Sequence, residues 1–299
     1  MKIGVMYGGI SAEREVSLSS GKAVLSACKF LGHEVVSLDP QDGMSTLIPS
    51  IKSVDVVFNG LHGGDGENGV IAGFLGSLGV RYTGSGNEAS AICMDKRVSK
   101  ALVFGKNILT PDWIPLTMED DVPENHELGY PLVVKPNSQG STIGLTIVSN
   151  PSELNDAVFL ARKYDSIVLM ESFVAGREIT VSIIGDKAYP IVEIFPSHDL
   201  YDYECKYIKG MTDYYCPAKI DASGTLEIQS IAARIHKLLG CRHYSRVDFR
   251  LDKNNKAWFL EVNTLPGMTE TSNLPKSAKV AGMDFPELIQ TIIDEALKD

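Results

Sequence analysis

The chain of 299 residues is 44% hydrophobic and 22% charged and holds 27 glycines, a composition that belongs to a folded protein of one large or two ordinary domains and excludes disordered and fibrous classes. Lys and Arg number 28 against 38 Asp and Glu, for a formal charge of −10. A broad cationic face for nucleic acid or an anionic membrane is thereby excluded, and any phosphate must be met by a few local cations. The uncharged apolar stretch 68–80 is too short to cross a bilayer, and Glu13 interrupts the N-terminus before a signal region develops, so the chain reads as untargeted and cytoplasmic. Its 5 cysteines form no C-x-x-C pair and its 6 histidines no H-x-x-x-H spacing, which points to reduced thiols and gives zinc no support.

The first third alternates short apolar strands with helical patterns, as in a parallel sheet covered by helices. In chain order the pattern predicts a strand at 2–7, a helix at 17–31, strands at 34–38 and 55–59, a helix at 70–78, a strand at 80–83 and a long helix at 87–104. Pro111 and Pro115 then bracket an extended linker around Trp113. A strand at 131–135 runs into a Ser/Gly-rich loop at 137–144, followed by a helix at 152–163 and a strand at 167–171 that reaches a break at Ala175-Gly176. From Arg177 onward antiparallel strands are mixed with a tyrosine-rich loop (195–217), a helix (224–239) and a last helix (285–297).

The most informative segment is 245–268. Arg246-Val247-Asp248-Phe249-Arg250-Leu251 alternates charged and apolar residues at the period of a half-buried strand, and Phe259-Leu260-Glu261-Val262-Asn263 repeats the alternation, as two arms of one hairpin do. With Asn254-Asn255 as a two-residue turn, a pair suited to positive φ, Asp248 faces Glu261 and Arg246 faces Asn263. Carboxylates opposed on one face lie about 5 Å apart and repel unless something positive sits between them. Two readings stay open. A hard divalent cation, Mg²⁺ or Mn²⁺, suits carboxylate and amide oxygens and arrives with substrate phosphates; alternatively this is a solvated polar face that Arg246 and Arg250 neutralise.

Lys135 ends an apolar strand just before Pro136-Asn137-Ser138-Gln139-Gly140-Ser141-Thr142-Ile143-Gly144. Such a loop offers backbone N–H groups and hydroxyls to phosphates, or is an ordinary surface loop; it is not a Walker A loop, since G-x-x-x-x-G-K-[ST] occurs nowhere. The strand from Val168 to Val174 runs into a hinge and, with Glu178, offers an apolar slot for a purine and an acceptor for ribose, or is core with surface acids. Gly64-Asp65-Gly66-Glu67-Asn68-Gly69 is a literal G-x-G-x-x-G, but its two acids would stand beside a doubly negative pyrophosphate, so nicotinamide binding is set aside. His62 before it is a turn histidine or a polar anchor at a strand's carboxyl end. Glu13 and Glu15, after Gly8-Gly9, either pair with an ammonium group or favour a helix N-terminus through its dipole.

Together these pieces resemble the D-alanine–D-alanine ligases of the ATP-grasp superfamily over essentially the whole chain. The matching stretches are Gly8-Gly9 through Glu13-Arg14-Glu15-Val16-Ser17, Leu61-His62-Gly63, Tyr82-Thr83-Gly84-Ser85-Gly86, Met94-Asp95-Lys96, Tyr201-Asp202-Tyr203 with Lys206-Tyr207, Arg246-Val247-Asp248, and Glu261-Val262-Asn263-Thr264-Leu265-Pro266-Gly267-Met268-Thr269. The chain departs from the family at Asn68, usually aspartate, and at Asn273, where leucine or methionine is common.

The resemblance implies a fold class of α/β plus α+β: an N-terminal parallel α/β substrate-binding domain (1–94) followed by a two-subdomain ATP-grasp fold, central (95–175) and C-terminal (176–299), the latter with the metal site and a mobile loop. It implies ATP with Lys96 and Lys135 on the phosphates, Glu171, Ser172, Phe173 and Val174 on adenine, Glu178 on ribose, and two Mg²⁺ or Mn²⁺ ions on Asp248, Glu261 and Asn263. Glu13 would hold the ammonium of the first D-alanine, with His62 and Ser141 lining that subsite. Arg246 and the Gly267 N–H would stabilise an oxyanion, and Ser272 would meet the carboxylate of the second D-alanine. Lys206 and Tyr207 fall on the closing loop, where tyrosine accompanies D-alanine rather than D-lactate. Glu13, Ser141, Tyr207 and Arg246 are thus the implied catalytic groups. The implied reaction is ATP-dependent ligation of two D-alanines through D-alanyl phosphate, releasing ADP and phosphate, for bacterial peptidoglycan synthesis, by a homodimer without nucleic-acid or membrane partners.

Overall fold

Three sheets organise the chain. The computed structural model describes residues 1–196, 212–269 and 271–299. At its N-terminal end β1 (Lys2–Met6) lies between β2 (Glu34–Leu38) and β3 (Val56–Asn59), all parallel. Ile3 and Val5 pack under α1 (Arg14–Phe30) and the last helix, Phe285–Ala296, while Met6 packs on the other face with α2 (Met44–Ile51) and α3 (Val70–Ser77). A strand covered on both faces needs such an apolar run. The last helix is fixed by a capping box, Asp284 accepting from the Glu287 N–H and Glu287 from the Asp284 N–H. No described helix is long and apolar enough to cross a membrane.

Two expectations in this region are corrected. The strand at 80–83 is reduced to one bridge between Val57 and Tyr82; the Thr83 hydroxyl accepts from the Asn59 N–H, and Gly84, at φ 97°, turns the chain off the sheet edge. The helix at 87–104 is two helices, α4 (Asn87–Met94) and α5 (Lys96–Phe104). Asp95 between them has an extended backbone, and its carboxylate accepts from the Val98 N–H at 3.0 Å, as an N-cap does. Helix α2 was not predicted, because Pro49 inside it masks the helical pattern.

A four-stranded antiparallel sheet follows, in the order β4 (Trp113–Leu116), β7 (Val168–Ser172), β5 (Leu132–Pro136), β6 (Thr146–Val148), backed by α6 (Leu154–Arg162). The segment expected as a linker around Trp113 is thus an edge strand, where Pro115 can lack an N–H without breaking the ladder. The third sheet orders β11 (Thr212–Tyr215), β10 (Val192–Pro196), β8 (Arg177–Ile184), β12 (Tyr244–Leu251) and β13 (Ala257–Asn263), with β9 (Lys187–Ala188) on β8. Ile179, Val181, Ile183, Val247, Phe249 and Phe259 form its core face under α4, α5 and α7 (Ala222–Leu238). Strand alternation therefore sends Glu178, Thr180, Arg246, Asp248 and Arg250 to the opposite face.

The hairpin of β12 and β13 pairs Asp248 with Glu261 and Arg246 with Asn263, as expected, but for a different reason. The turn holds three residues, Lys253-Asn254-Asn255, closed by the Asp252 N–H on the Lys256 carbonyl, with Asn255 left-handed at φ 58°. That alone would offset the pairing by one. A bulge at Leu260 restores the register beyond it and turns both Leu260 and Glu261 toward the cleft. A short helix not predicted, α8 (Asn273–Val280), begins directly after Ser272.

Candidate active site

The four-stranded and six-stranded sheets together line a cleft. Val133, Phe173, Ile194 and Leu260 give it apolar walls, and the hinge Ser172–Val174 borders it. Arg250 holds that hinge: its guanidinium donates to the Val174 carbonyl at 3.2 Å and the Gly176 carbonyl at 2.7 Å, lies 3.6 Å from Glu178, and sits over the Phe173 ring. Burial lowers the Arg250 pKa, with Glu178 opposing.

Two lysines reach the cleft from different elements. Lys96 opens α5, where a cation stands against the helix dipole; it is held there by the Glu261 carboxylate at 3.1 Å and the Gln139 carbonyl at 2.7 Å. Lys135, at the end of β5, lies 2.8 Å from Glu171. Glu171 is buried, and burial alone would raise its pKa, but Lys100 and Lys135 hold its carboxyl below the usual range.

On the opposite wall Asp248 is buried and receives a bidentate contact from Arg246 (2.8 and 2.7 Å) and a hydroxyl from Thr180 at 2.5 Å. Asp248 and Glu261 both line the cleft; Arg246 neutralises Asp248, as the polar-face reading expects, while Arg250 turns to the hinge carbonyls instead. Asn263 turns its Oδ1 to the Leu265 N–H at 2.8 Å and borders the neighbouring cleft. Among the described residues no three acidic, histidine or cysteine side chains converge on one point. The set is two register-paired carboxylates and an amide, all hard oxygen donors, and that chemistry fits Mg²⁺ or Mn²⁺.

A second cleft adjoins the first and shares Gly140, Ser141, Arg246 and Glu261 with it. Glu13 lies here at the start of α1; its side chain makes no cap and instead accepts from the Ser141 hydroxyl. His62 is buried, with Nε2 3.1 Å from the Ser20 hydroxyl and Nδ1 3.4 Å from Glu67, while Ser20 also accepts from the Met268 N–H at 3.2 Å. A Cβ at Gly267 would stand 2.8 Å from the Ser272 hydroxyl, so any larger residue there would displace that side chain. Ser272 accepts from the Thr269 N–H at 3.1 Å, and Asn273 beside it is buried in the same wall.

The structure thus gathers Glu13, His62, Asn263, Gly267 and Ser272 in one cleft and Lys96, Lys135, Glu171, Ser172, Phe173, Val174, Glu178 and Asp248 in the other, with Ser141, Arg246 and Glu261 common to both. Lys206 and Tyr207 lie outside the described residues. Sequence reasoning missed the part played by Arg250 at the hinge, Thr180 on Asp248, Ser20 on His62, and Lys100. A signal for Lys100 was present: four residues after Lys96 on a helix, it shares that lysine's face.

The parallel α/β sheet followed by two facing antiparallel sheets is the ATP-grasp architecture. Residues 102–294 match the family model described as D-ala D-ala ligase C-terminus. The D-alanine–D-alanine ligase of Halalkalibacterium halodurans is 44% identical over 306 residues, spanning 100% of both chains, and that of Aquifex aeolicus is 45% identical over 293 residues, spanning 98% of this chain and 100% of its own. Two crystal structures of Bacillus anthracis D-alanine–D-alanine ligase are similar throughout: one has a TM-score of 0.90 at 38% identity, covering 100% of this chain and 98% of that one. The other, complexed with ATP, has a TM-score of 0.87 at 35% identity, with 100% and 97% covered. The chain belongs to the D-alanine–D-alanine ligase family.

Proposed function

We propose that the protein ligates two D-alanines to D-alanyl-D-alanine through D-alanyl phosphate, consuming ATP and releasing ADP and phosphate, as a step of bacterial peptidoglycan synthesis. The observation that carries this reading is the wall shared by the two clefts. Ser141, Arg246 and Glu261 border both, so a phosphoryl donor in one meets a carboxylate in the other where those side chains stand.

A carboxylate is a poor electrophile and must be activated first. The carboxylate oxygen of the first D-alanine, with its ammonium on Glu13, attacks the γ-phosphorus, and ADP leaves. Lys96 and Lys135 offset charge on the transferring phosphoryl group, and Glu171 to Val174 and Glu178 hold the nucleoside. When bound, Mg²⁺ or Mn²⁺ on Asp248, Glu261 and Asn263 supplies further neutralisation there; the family suggests two ions. The second amine, its carboxylate on Ser272, then attacks the acyl carbon. Negative charge develops on the carbonyl oxygen beside Arg246 and the Gly267 N–H, and collapse expels phosphate. Acyl phosphates hydrolyse, so the 137–144 loop, which lines both clefts, closes over the site to exclude water.

The same reading divides the chain at 94/95 and 175/176, supported by the three separate sheets, with the last helix returning to cover the first sheet. It also makes the enzyme cytoplasmic and homodimeric, on the strength of the family; light scattering of the purified protein checks the dimer. The reaction itself is tested by incubating the protein with ATP, Mg²⁺ and D-alanine and identifying the products. D-alanyl-D-alanine with ADP and phosphate is expected; AMP with pyrophosphate would exclude the acyl-phosphate route.

A further inference from the structure

Lys100 lies four residues beyond Lys96 on α5, its side chain 0% exposed. It borders neither cleft, so it touches no ligand there. Its ammonium is 3.1 Å from Glu171 Oε1, donates to the Thr110 hydroxyl at 2.8 Å and stands over the Trp113 ring at 5.2 Å. The other oxygen of Glu171 is 2.8 Å from Lys135, and both Glu171 and Lys135 do border the nucleotide cleft. A fully buried lysine is costly unless paired, and this one is paired with a carboxylate that already has a partner.

Charge arithmetic gives the pairing a purpose. Lys135 and Glu171 alone would cancel, leaving no net field for an anion in the cleft. With Lys100 added, the trio carries one net positive charge, and the only member placed to face a phosphate is Lys135. Asp112, the other acid near Lys100, is exposed to solvent and screened. Burial draws the Lys100 pKa down to about 8, and Glu171 opposes that shift, so the group stays charged at neutral pH.

We propose that Lys100 is a positioning residue for the phosphoryl donor: by neutralising Glu171 from behind, it frees the charge of Lys135 to act on the nucleotide's phosphates. The proposal rests on the reading of this cleft as the ATP site. It differs from a packing role in its dependence on phosphate charge, so the readout is the ratio of adenosine Kd to ADP Kd, measured by calorimetry on the full chain.

In Lys100→Met that ratio should fall about tenfold, the effect of losing one charge some way behind the phosphate in a partly buried site. In Glu171→Gln, where both lysines remain unopposed, the ratio should rise. In the double variant Lys100→Met/Glu171→Gln one net positive charge is restored, and the ratio should return close to wild type. Glu171→Gln is nearly isosteric, so it tests the sign even if Lys100→Met fails to fold. A ratio unchanged in Lys100→Met or in Glu171→Gln, or a double variant no better than Lys100→Met, would overturn the proposal. If wild type binds adenosine and ADP equally well, the ATP-site reading itself fails, a result distinct from any of these.

Discussion

The Ser141 hydroxyl donates to the Glu13 carboxylate across 128 residues of chain, tying the Ser/Gly loop to the start of α1 at the wall both clefts share. Ser141 and Thr142 are both left-handed, at φ 52° and 62°, a conformation that costs a residue with a Cβ roughly 1 kcal/mol or more. The contact with Glu13 helps hold that loop in place. Ser141→Ala keeps the backbone cost and loses the contact. It should lower kcat/KM for D-alanine by about 100-fold, within the range of a lost acid–base or orienting group, while leaving ADP affinity nearly unchanged. Equal losses for both ligands would assign Ser141 to the nucleotide cover alone.

Glu261→Gln removes charge from a side chain that is 28% exposed and paired with Lys96. Because the amide is isosteric and the site is partly open, thermal stability should change little. Turnover should fall by about 100-fold or more and Mn²⁺ binding, followed by electron paramagnetic resonance in the presence of ADP, should weaken by at least about tenfold, since a hard cation loses a charged oxygen ligand. Unaltered Mn²⁺ affinity would remove Glu261 from the metal's ligands.

Asn273 stands where the family commonly carries leucine or methionine, and its buried Oδ1 has no hydrogen-bond partner among the described residues. An unpaired buried acceptor costs about 1–3 kcal/mol, and the residue that carries this one lines the cleft beside Ser272. With the side chain turned into the cleft, that oxygen accepts from the hydroxyl of a second substrate that has one. In a mixture of D-alanine and D-serine, Asn273→Leu should therefore yield several-fold less D-alanyl-D-serine relative to D-alanyl-D-alanine than wild type, as expected when a polar pocket group is removed, and it should be more stable to heat. A product ratio equal to that of wild type would leave Asn273 without a part in selection.

His236 gives a prediction for stability. It lies buried between α7 and the six-stranded sheet, Nδ1 2.7 Å from the Ser245 hydroxyl, and burial pushes its pKa down to about 4, with His243 adding to the effect and Asp186 opposing it. In the unfolded chain the imidazole titrates near its ordinary value, about 6.5. Between these values unfolding takes up a proton, so the stabilisation is complete above about pH 6.5 and is lost as pH falls toward 4, amounting to a few kcal/mol over the window. Urea unfolding at pH 7, 6 and 5 should show this decline, and His236→Gln should flatten it. Parallel declines in the two proteins would place the acid sensitivity elsewhere.

The strand pattern around Asp248 and Glu261 was legible because alternation at a period of two is a local property, and it decides which side chains share a face. The register came out right through two compensating irregularities, the three-residue turn and the bulge at Leu260, neither of which alternation reveals. The break at Asp95 was visible in principle, since an aspartate three residues before the Val98 N–H is a cap signal, but the apolar periodicity on either side concealed it. The segment around Trp113, bracketed by Pro111 and Pro115, reads as a linker because proline argues against a central strand, whereas β4 is an edge. Helical spacing puts Lys100 on the face of Lys96, but its contact with Glu171 was not legible, because it joins side chains of α5 and β7 that meet only once the chain packs.

The central step bonds a carboxylate oxygen of D-alanine to the γ-phosphorus of ATP. D-alanine labelled with ¹⁸O in its carboxylate, turned over with unlabelled ATP and Mg²⁺, should transfer one ¹⁸O into each inorganic phosphate released, read by mass spectrometry or by the isotope shift of the ³¹P resonance. Phosphate free of the label, formed while labelled dipeptide accumulates, would contradict it.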